Sequence, residues 1–156
     1  MFTLIRWGSP LYSETINLRN KVLSESAGKS SIKGFPSNEQ KDVHLAIKRE
    51  DRIVGTLLLH PCSKDCVQIK QVAIVPNCQN EGLGKKLIIY AEQVARNLAY
   101  TVIFLTGREQ AWGFYEKMGY EGISEPYKEK KLVLKVFKKN IQGNIKVNKK
   151  ELKTNG

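Results

Sequence analysis

No apolar run in this sequence approaches the roughly 20 residues that a membrane-spanning helix needs, so a helical membrane protein is not expected. Cysteine is scarce: Cys62, Cys66 and Cys78 are the three present. An odd, low number without a secretory leader argues against a disulfide framework. The opening residues, Met1-Phe2-Thr3-Leu4-Ile5-Arg6-Trp7, lack a charged leader, a long apolar stretch and a small-residue cleavage site. They read as a strand, and the expected location is the cytoplasm. No internal repeat is visible.

What is present is enough for one core. The chain has 156 residues, 41% of them hydrophobic, which suits a single globular domain rather than a disordered chain. The net charge is +11. Six lysines and one glutamate between Lys138 and Gly156 put +5 of it in the last stretch. The remaining excess suits a protein that holds a polyanionic ligand, and equally one that needs solubility.

Hydrophobic spacing orders the elements. Phe2–Trp7 alternates as an outer strand does. Ser9-Pro10 looks like an N-cap with proline in the first turn, opening a helix to about Leu23–Glu25. Residues 24–41 are polar and read as a loop, a lid or a short helix. Val43–Lys48 and Arg52–Leu59 form an antiparallel hairpin around Glu50-Asp51. Cys66–Val75 is a further strand, stopped by Pro76. Leu83, Leu87, Ile88, Ala91, Val94, Ala95 and Leu98 line one face of an amphipathic helix. Thr101–Thr106 is a buried strand, Gly107–Met118 a short helix closed by Gly119, and Lys131–Phe137 a last strand. The Cys66–Val75 strand, its helix and the Thr101–Thr106 strand make a crossover unit, so those two strands run parallel. The expected fold class is mixed α/β, with a mainly antiparallel central sheet flanked by helices.

The segment between Val75 and Lys86 carries the chemistry. The first amides of a helix lack intrahelical partners and sit at the positive end of its dipole, so this junction suits anionic oxygens. Gly82 and Gly84 permit close approach, and Lys85 and Lys86 add charge. A Walker A loop is excluded, because Gln79 stands where its first glycine belongs and Lys86 where Ser or Thr belongs. A dinucleotide fingerprint is excluded by Leu87 at its third glycine.

Gln79-Asn80-Glu81-Gly82-Leu83-Gly84 does fit Q-x-x-G-x-G, after a strand and proline and before an apolar helix. Here the chain resembles the GNAT superfamily of N-acetyltransferases. Ala111-Trp112-Gly113-Phe114-Tyr115-Glu116-Lys117-Met118-Gly119-Tyr120 resembles that family's later motif, one strand further on. The resemblance spans roughly Val43 to Phe137. It implies the GNAT acyl-CoA N-acyltransferase fold over residues 1–139; the polar, lysine- and asparagine-rich composition of 140–156 reads as a basic, disordered tail. The resemblance implies acetyl-CoA as donor, no metal, and direct attack by the primary amine of a small molecule or, alternatively, of a protein. The strand before the loop should splay from its neighbour and offer the amides of Val72, Ala73 and Ile74 to the pantetheine arm and thioester. The pyrophosphate should lie on the amides of Gln79, Asn80, Glu81, Gly82, Leu83, Gly84 and Lys85. Tyr115 matches the tyrosine that protonates the departing thiolate.

Two positions depart from the family pattern. Arg108 stands where many relatives have asparagine, and it either touches the cofactor or faces solvent. The Cys66–Val75 strand carries Gln68, Lys70 and Gln71 but no carboxylate, so the general base is unassigned. His44 is a candidate, or a structural histidine, and solvent suffices for an amine of low pKa. Arg19 lies where acceptors bind and would hold a carboxylate or sit at the surface. His60, Cys62 and Cys66 lack the fourth ligand of a structural zinc site. Cys78 sits beside the loop as a thiol near a helix end. Two other classes stay open: an acyl-CoA-binding module without catalysis, and a nucleic-acid binder using its lysines, disfavoured by the few aromatics among them. A homodimer also stays open.

Overall fold

Apolar side chains at both phases of Val43–Arg49 and Arg52–Pro61 dictate strands covered on both faces, and two layers of helix supply the cover. The computed structural model describes residues 1–141. It contains β1 (Phe2–Ile5), α1 (Pro10–Arg19), α2 (Glu25–Ala27), β2 (Val43–Arg49), β3 (Arg52–Pro61), β4 (Cys66–Ile74), α3 (Leu83–Asn97), β5 (Val102–Arg108), α4 (Trp112–Lys117), β6 (Glu121–Gly122), β7 (Tyr127–Glu129) and β8 (Leu132–Asn140).

The strands form one sheet in the order β1-β2-β3-β4-β5-β8-β6, with β7 also paired to β8. The β4–β5 pairing is parallel, as the crossover requires, and the other pairings are antiparallel. The β2–β3 hairpin turns on Glu50 and Asp51, at φ 49° and 65°. Those left-handed conformations match the twist of the strands they join.

The larger core lies between the sheet and α3. Leu45, Leu57, Leu59, Val67 and Ile69 meet Leu83, Leu87, Ile88, Ala91 and Ala95 across it. Each fully buried Leu or Ile contributes about 1.5–3 kcal/mol before entropy is charged. The smaller core covers the opposite face, where Tyr12, Ile16 and Leu18 of α1 pack on Ile5, Ala46, Ile53 and Ala73.

The structure corrects several boundaries. The Ser9 cap is present, its Oγ accepting the Tyr12 N–H at 3.2 Å. The helix it opens runs two residues past Glu25 and is not regular: it passes through a π-turn at Asn20–Ser24 and ends at Ala27, closed by Gly28. Gly107 and Arg108 belong to β5 rather than to the following helix. The last strand runs to Asn140, not Phe137, and Ile141 is 2% exposed. The Ile141 N–H bonds the Thr101 carbonyl and its carbonyl accepts from Arg96 Nε. Asn140 and Ile141 thus belong to the fold, and the rest of the expected tail lies outside the described residues.

Candidate active site

The site begins at a defect in the sheet. Thr56 pairs with Ala73 and Leu58 with Lys70, so Gln71 and Val72 together oppose Leu57. This is a β-bulge, with Gln71 at φ 59°. On its other side β4 pairs with β5 only from Cys66/Val102 to Ile69/Leu105. Beyond that point β5 continues against β8 to Arg108 while β4 turns away. The two strands therefore open into a V, and a cleft of about 880 Å³ lies at the opening. Residues from both helical layers line it, Val22 and Leu23 on one side, Phe114 and Tyr115 on the other.

A buried polar cluster braces the bulge. Arg19, 2% exposed, donates from Nη1 and Nη2 to the two Glu39 carboxylate oxygens at 2.8 and 2.6 Å, and from Nε to Gln71 Oε1 at 3.2 Å. Tyr12 donates its hydroxyl to the same carboxylate at 2.8 Å. Burial pushes the Glu39 carboxyl up, but the Arg19 hydrogen bonds and charge, with the Tyr12 bond, outweigh it and hold the group below its usual value. Two sequence alternatives are decided here. Arg19 does bind a carboxylate, but that of Glu39. His44, read as either a base or a structural histidine, is 3% exposed, packs edge-on to Tyr12 and donates from Nε2 to the Glu39 carbonyl at 2.9 Å, so it is the structural histidine, outside the cleft.

Three of the residues expected to hold the donor line the cleft, and the run from Asn80 to Lys85 follows in the turn and the start of α3. Val72 and Ile74 line the cleft; Ala73 between them is packed under α1, leaving only its backbone to take part. Pro76–Glu81 is a short 3-10 turn, and Gly82 at φ 75° passes the chain into α3. A non-glycine residue would be strained there. No side chain caps α3, so the amides of its first turn are without intrahelical partners. A Cβ on Gly82 would meet nothing within 4 Å, and one on Gly84 only Phe114 Cζ at 3.8 Å. That open space, uncapped amides and the exposed Lys85 and Lys86 fit a diphosphate. Gln79 lines the cleft and donates to the Ile74 carbonyl at 3.0 Å, tying turn to strand. Leu83 is buried in the main core, whereas Asn80 is exposed and Glu81 pairs with Arg49 at 2.8 Å. Cys78 is buried and does not line the cleft.

Tyr115 is 8% exposed, its ring among Phe114, Tyr120 and Phe137. A Cβ on Gly107 would stand 3.1 Å from that ring, so the glycine gives the ring its seat on β5. No hydrogen bond involves the Tyr115 hydroxyl among the described residues, yet none of their buried polar atoms lacks a partner. The hydroxyl must therefore open to the cleft. Burial pushes its pKa up to about 12, against a lowering by the Arg108 charge. It holds its proton throughout the physiological range.

Arg108 lines the cleft and is half-buried rather than free in solvent. It bonds Ser26 Oγ at 2.8 Å and the Leu23 carbonyl at 3.2 Å, clipping the end of β5 to the wall after the π-turn. Tyr120, last of the second motif, donates to Glu92 at 2.8 Å, and Lys139 bonds the same carboxylate, which fixes α3 to β8. His60 is engaged by Asp42 at 2.8 Å. Among the described residues no cluster of three or more His, Cys, Asp or Glu is placed to hold a metal, and no helix is long and apolar enough to cross a membrane. The bulge residue Gln71 and the roof residues Ser26 and Leu23 carried no local signal in the sequence.

Comparison with known proteins follows the same lines. Residues 14–120 match the family described as Acetyltransferase (GNAT) family. The Bacillus subtilis (strain 168) protein YyaT is 25% identical over 135 residues, covering 85% of this chain and 90% of its own. An aminoglycoside 6'-N-acetyltransferase complexed with coenzyme A superposes with a TM-score of 0.77 at 15% identity, over 90% of this chain and 97% of that one. An acyl-CoA N-acyltransferase from Pseudomonas aeruginosa gives 0.74 at 18% identity, over 89% and 98% of the two chains. At such identities the structural likeness is one of fold.

Proposed function

This chain belongs to the GNAT acetyltransferase family, and we propose that it transfers an acetyl group from acetyl-CoA to the primary amine of a small acceptor in the cytoplasm. The observation that carries the reading is the V between β4 and β5, with an uncapped helix start at one end and a protonated tyrosine inside.

Acetyl-CoA supplies the activated acetyl thioester. The amides of the first turn of α3 and the turn before it, from Gln79 to Lys85, bind the diphosphate, helped by Lys85 and Lys86. The amides of Val72 and Ile74 face the β4 edge that β5 leaves unpaired, since the Val75 N–H bonds Val54 of β3 and amides alternate along a strand; with the backbone of Ala73 between them they orient the pantetheine arm and stabilise charge on the thioester oxygen as the amine attacks. A C–N bond forms and the C–S bond breaks. Tyr115 gives its proton to the leaving sulfur and is reprotonated by solvent, while the amine's surplus proton goes to solvent.

Calorimetric titration with acetyl-CoA tests this, with Gly84→Glu as the paired variant. A Cβ there meets only Phe114 Cζ, at ordinary contact distance, and the carboxylate brings negative charge to the proposed phosphate position. Micromolar-range binding is expected in the native protein, weakened by about 100-fold or more in the variant at unchanged melting temperature; two like charges a few ångströms apart supply that size of effect. Equal binding by both proteins, or none by the native one, would remove the reading.

A further inference from the structure

The cleft is electrically lopsided. Its charged lining residues are Lys29, Lys70, Arg108 and Glu129. Lys29 and Glu129 lie 3.5 Å apart and offset each other. Arg108 spends donors on a hydroxyl and a carbonyl, both uncharged. Lys70, half-buried, makes no hydrogen bond or ion pair among the described residues; its charge is felt by the Cys62 thiol. Two cations thus stand in the cleft without an acid.

Their placement separates them from the diphosphate position. Val67 and Ile69 of β4 point into the core beneath α3. Side chains alternate along a strand, so Gln68 and Lys70 face the opposite layer, that of α1 and the π-turn. Lys70 is also the first β4 residue past the last pair with β5. It therefore addresses the half of the cleft walled by Val22, Leu23 and Ile32, away from the start of α3.

We propose that the acceptor is a small primary amine that also carries a carboxylate, and that Lys70, with Arg108 behind it, binds that carboxylate and selects against polycationic amines. The inference rests on the acyltransferase reading. The same charges disfavour an ammonium ion in the cleft. The other titratable groups facing it are the Tyr115 and Tyr127 hydroxyls and the offset Lys29–Glu129 pair, and neither hydroxyl adds negative charge while protonated. An amine there releases its proton to solvent more readily, which suits a site whose β4 wall offers Gln68, Lys70 and Gln71 in place of an acid.

The test is a set of initial rates with free L-amino acids and β-alanine, each beside its own carboxamide, and with the aminoglycoside kanamycin. Native protein, Lys70→Met and Lys70→Glu are compared, with acetyl-CoA titrated calorimetrically into each and folding followed by circular dichroism. The native protein is expected to prefer the best carboxylates over their carboxamides by tenfold or more in kcat/KM. That ratio should fall towards one in Lys70→Met and below one in Lys70→Glu, through KM. Native preference for carboxamides or kanamycin, a ratio untouched in Lys70→Met, or acetyl-CoA binding with no transfer to any of these amines would each overturn the acceptor assignment while leaving the donor site standing. Absence of acetyl-CoA binding in the native protein would overturn the acyltransferase reading, and this inference with it.

Discussion

Replacing Tyr115 by phenylalanine separates chemistry from architecture, because its hydroxyl has no hydrogen-bond partner among the described residues and lines the cleft. The ring keeps its neighbours Phe114, Tyr120 and Phe137, at centroid distances of 5.2, 6.0 and 5.9 Å. The lost oxygen leaves no donor or acceptor stranded among the described residues, so folding stability should change by no more than about 0.5 kcal/mol. The reaction should change far more. A positioned general acid is worth roughly 10²–10⁴ in rate, which is about 3–5 kcal/mol of barrier. With its pKa pushed up to about 12, the hydroxyl is protonated in nearly every molecule at pH 8. The native rate should rise with pH as the amine sheds its proton and show no fall from Tyr115 ionisation up to about pH 10. Release of free CoA thiol, followed with a thiol-reactive dye across that range, reads both quantities, and urea unfolding reads stability. A kcat within threefold of native would refute the assignment. Lost activity accompanied by a large loss of stability would refute the claim that the hydroxyl has no structural role.

Two further outcomes follow from buried groups. Glu39→Gln leaves the Arg19 guanidinium inside the protein without its counter-charge, at a cost of about 3–5 kcal/mol in urea unfolding. Because the Glu39 carboxyl sits below its usual value when folded, its contribution is complete above about pH 4.3 and disappears as pH falls through the lower folded value; the acid limb of the native stability profile should therefore flatten in the variant. Ile141→Ala, at a position that is 2% exposed, should cost about 2–5 kcal/mol, whereas a surface tail residue would cost almost nothing; differential scanning calorimetry distinguishes them.

Local patterns made much of this molecule legible. The hairpin around Glu50-Asp51, the amphipathic α3 and the glycine junction at 82–84 are each specified by residues close together in the chain. The parallel pairing of β4 with β5 followed from the crossover rule, and the splay beyond it from family resemblance. What stayed hidden depends on distant partners. Nothing near Gln71 announces a bulge, since its brace is Arg19, 52 residues away. Arg19 looked like a binding residue because its acid, Glu39, sits in a segment that reads as loop. The extension of β8 was missed because Lys138, Lys139 and Asn140 are polar. In the sheet Lys139 is drawn in by Glu92, and Ile141 by a backbone bond to Thr101. The short strands β6 and β7 exist only as partners of β8 and carry no pattern of their own.

The position of β8 has a consequence for biosynthesis. It is the last strand of the described chain to leave the ribosome, yet it lies between β5 and β6, one place from the strand that forms the cleft. Until Leu132–Asn140 emerges, β5 has an open row of amides and carbonyls along the flank β8 will occupy, and the ring of Tyr115 lacks the Phe137 side chain that backs it. Such an edge accepts any passing strand. A nascent chain halted before Leu132 is thus adhesive, and completion of the nine residues of β8 removes the sticky edge in the same event that sets Phe137 behind the Tyr115 ring.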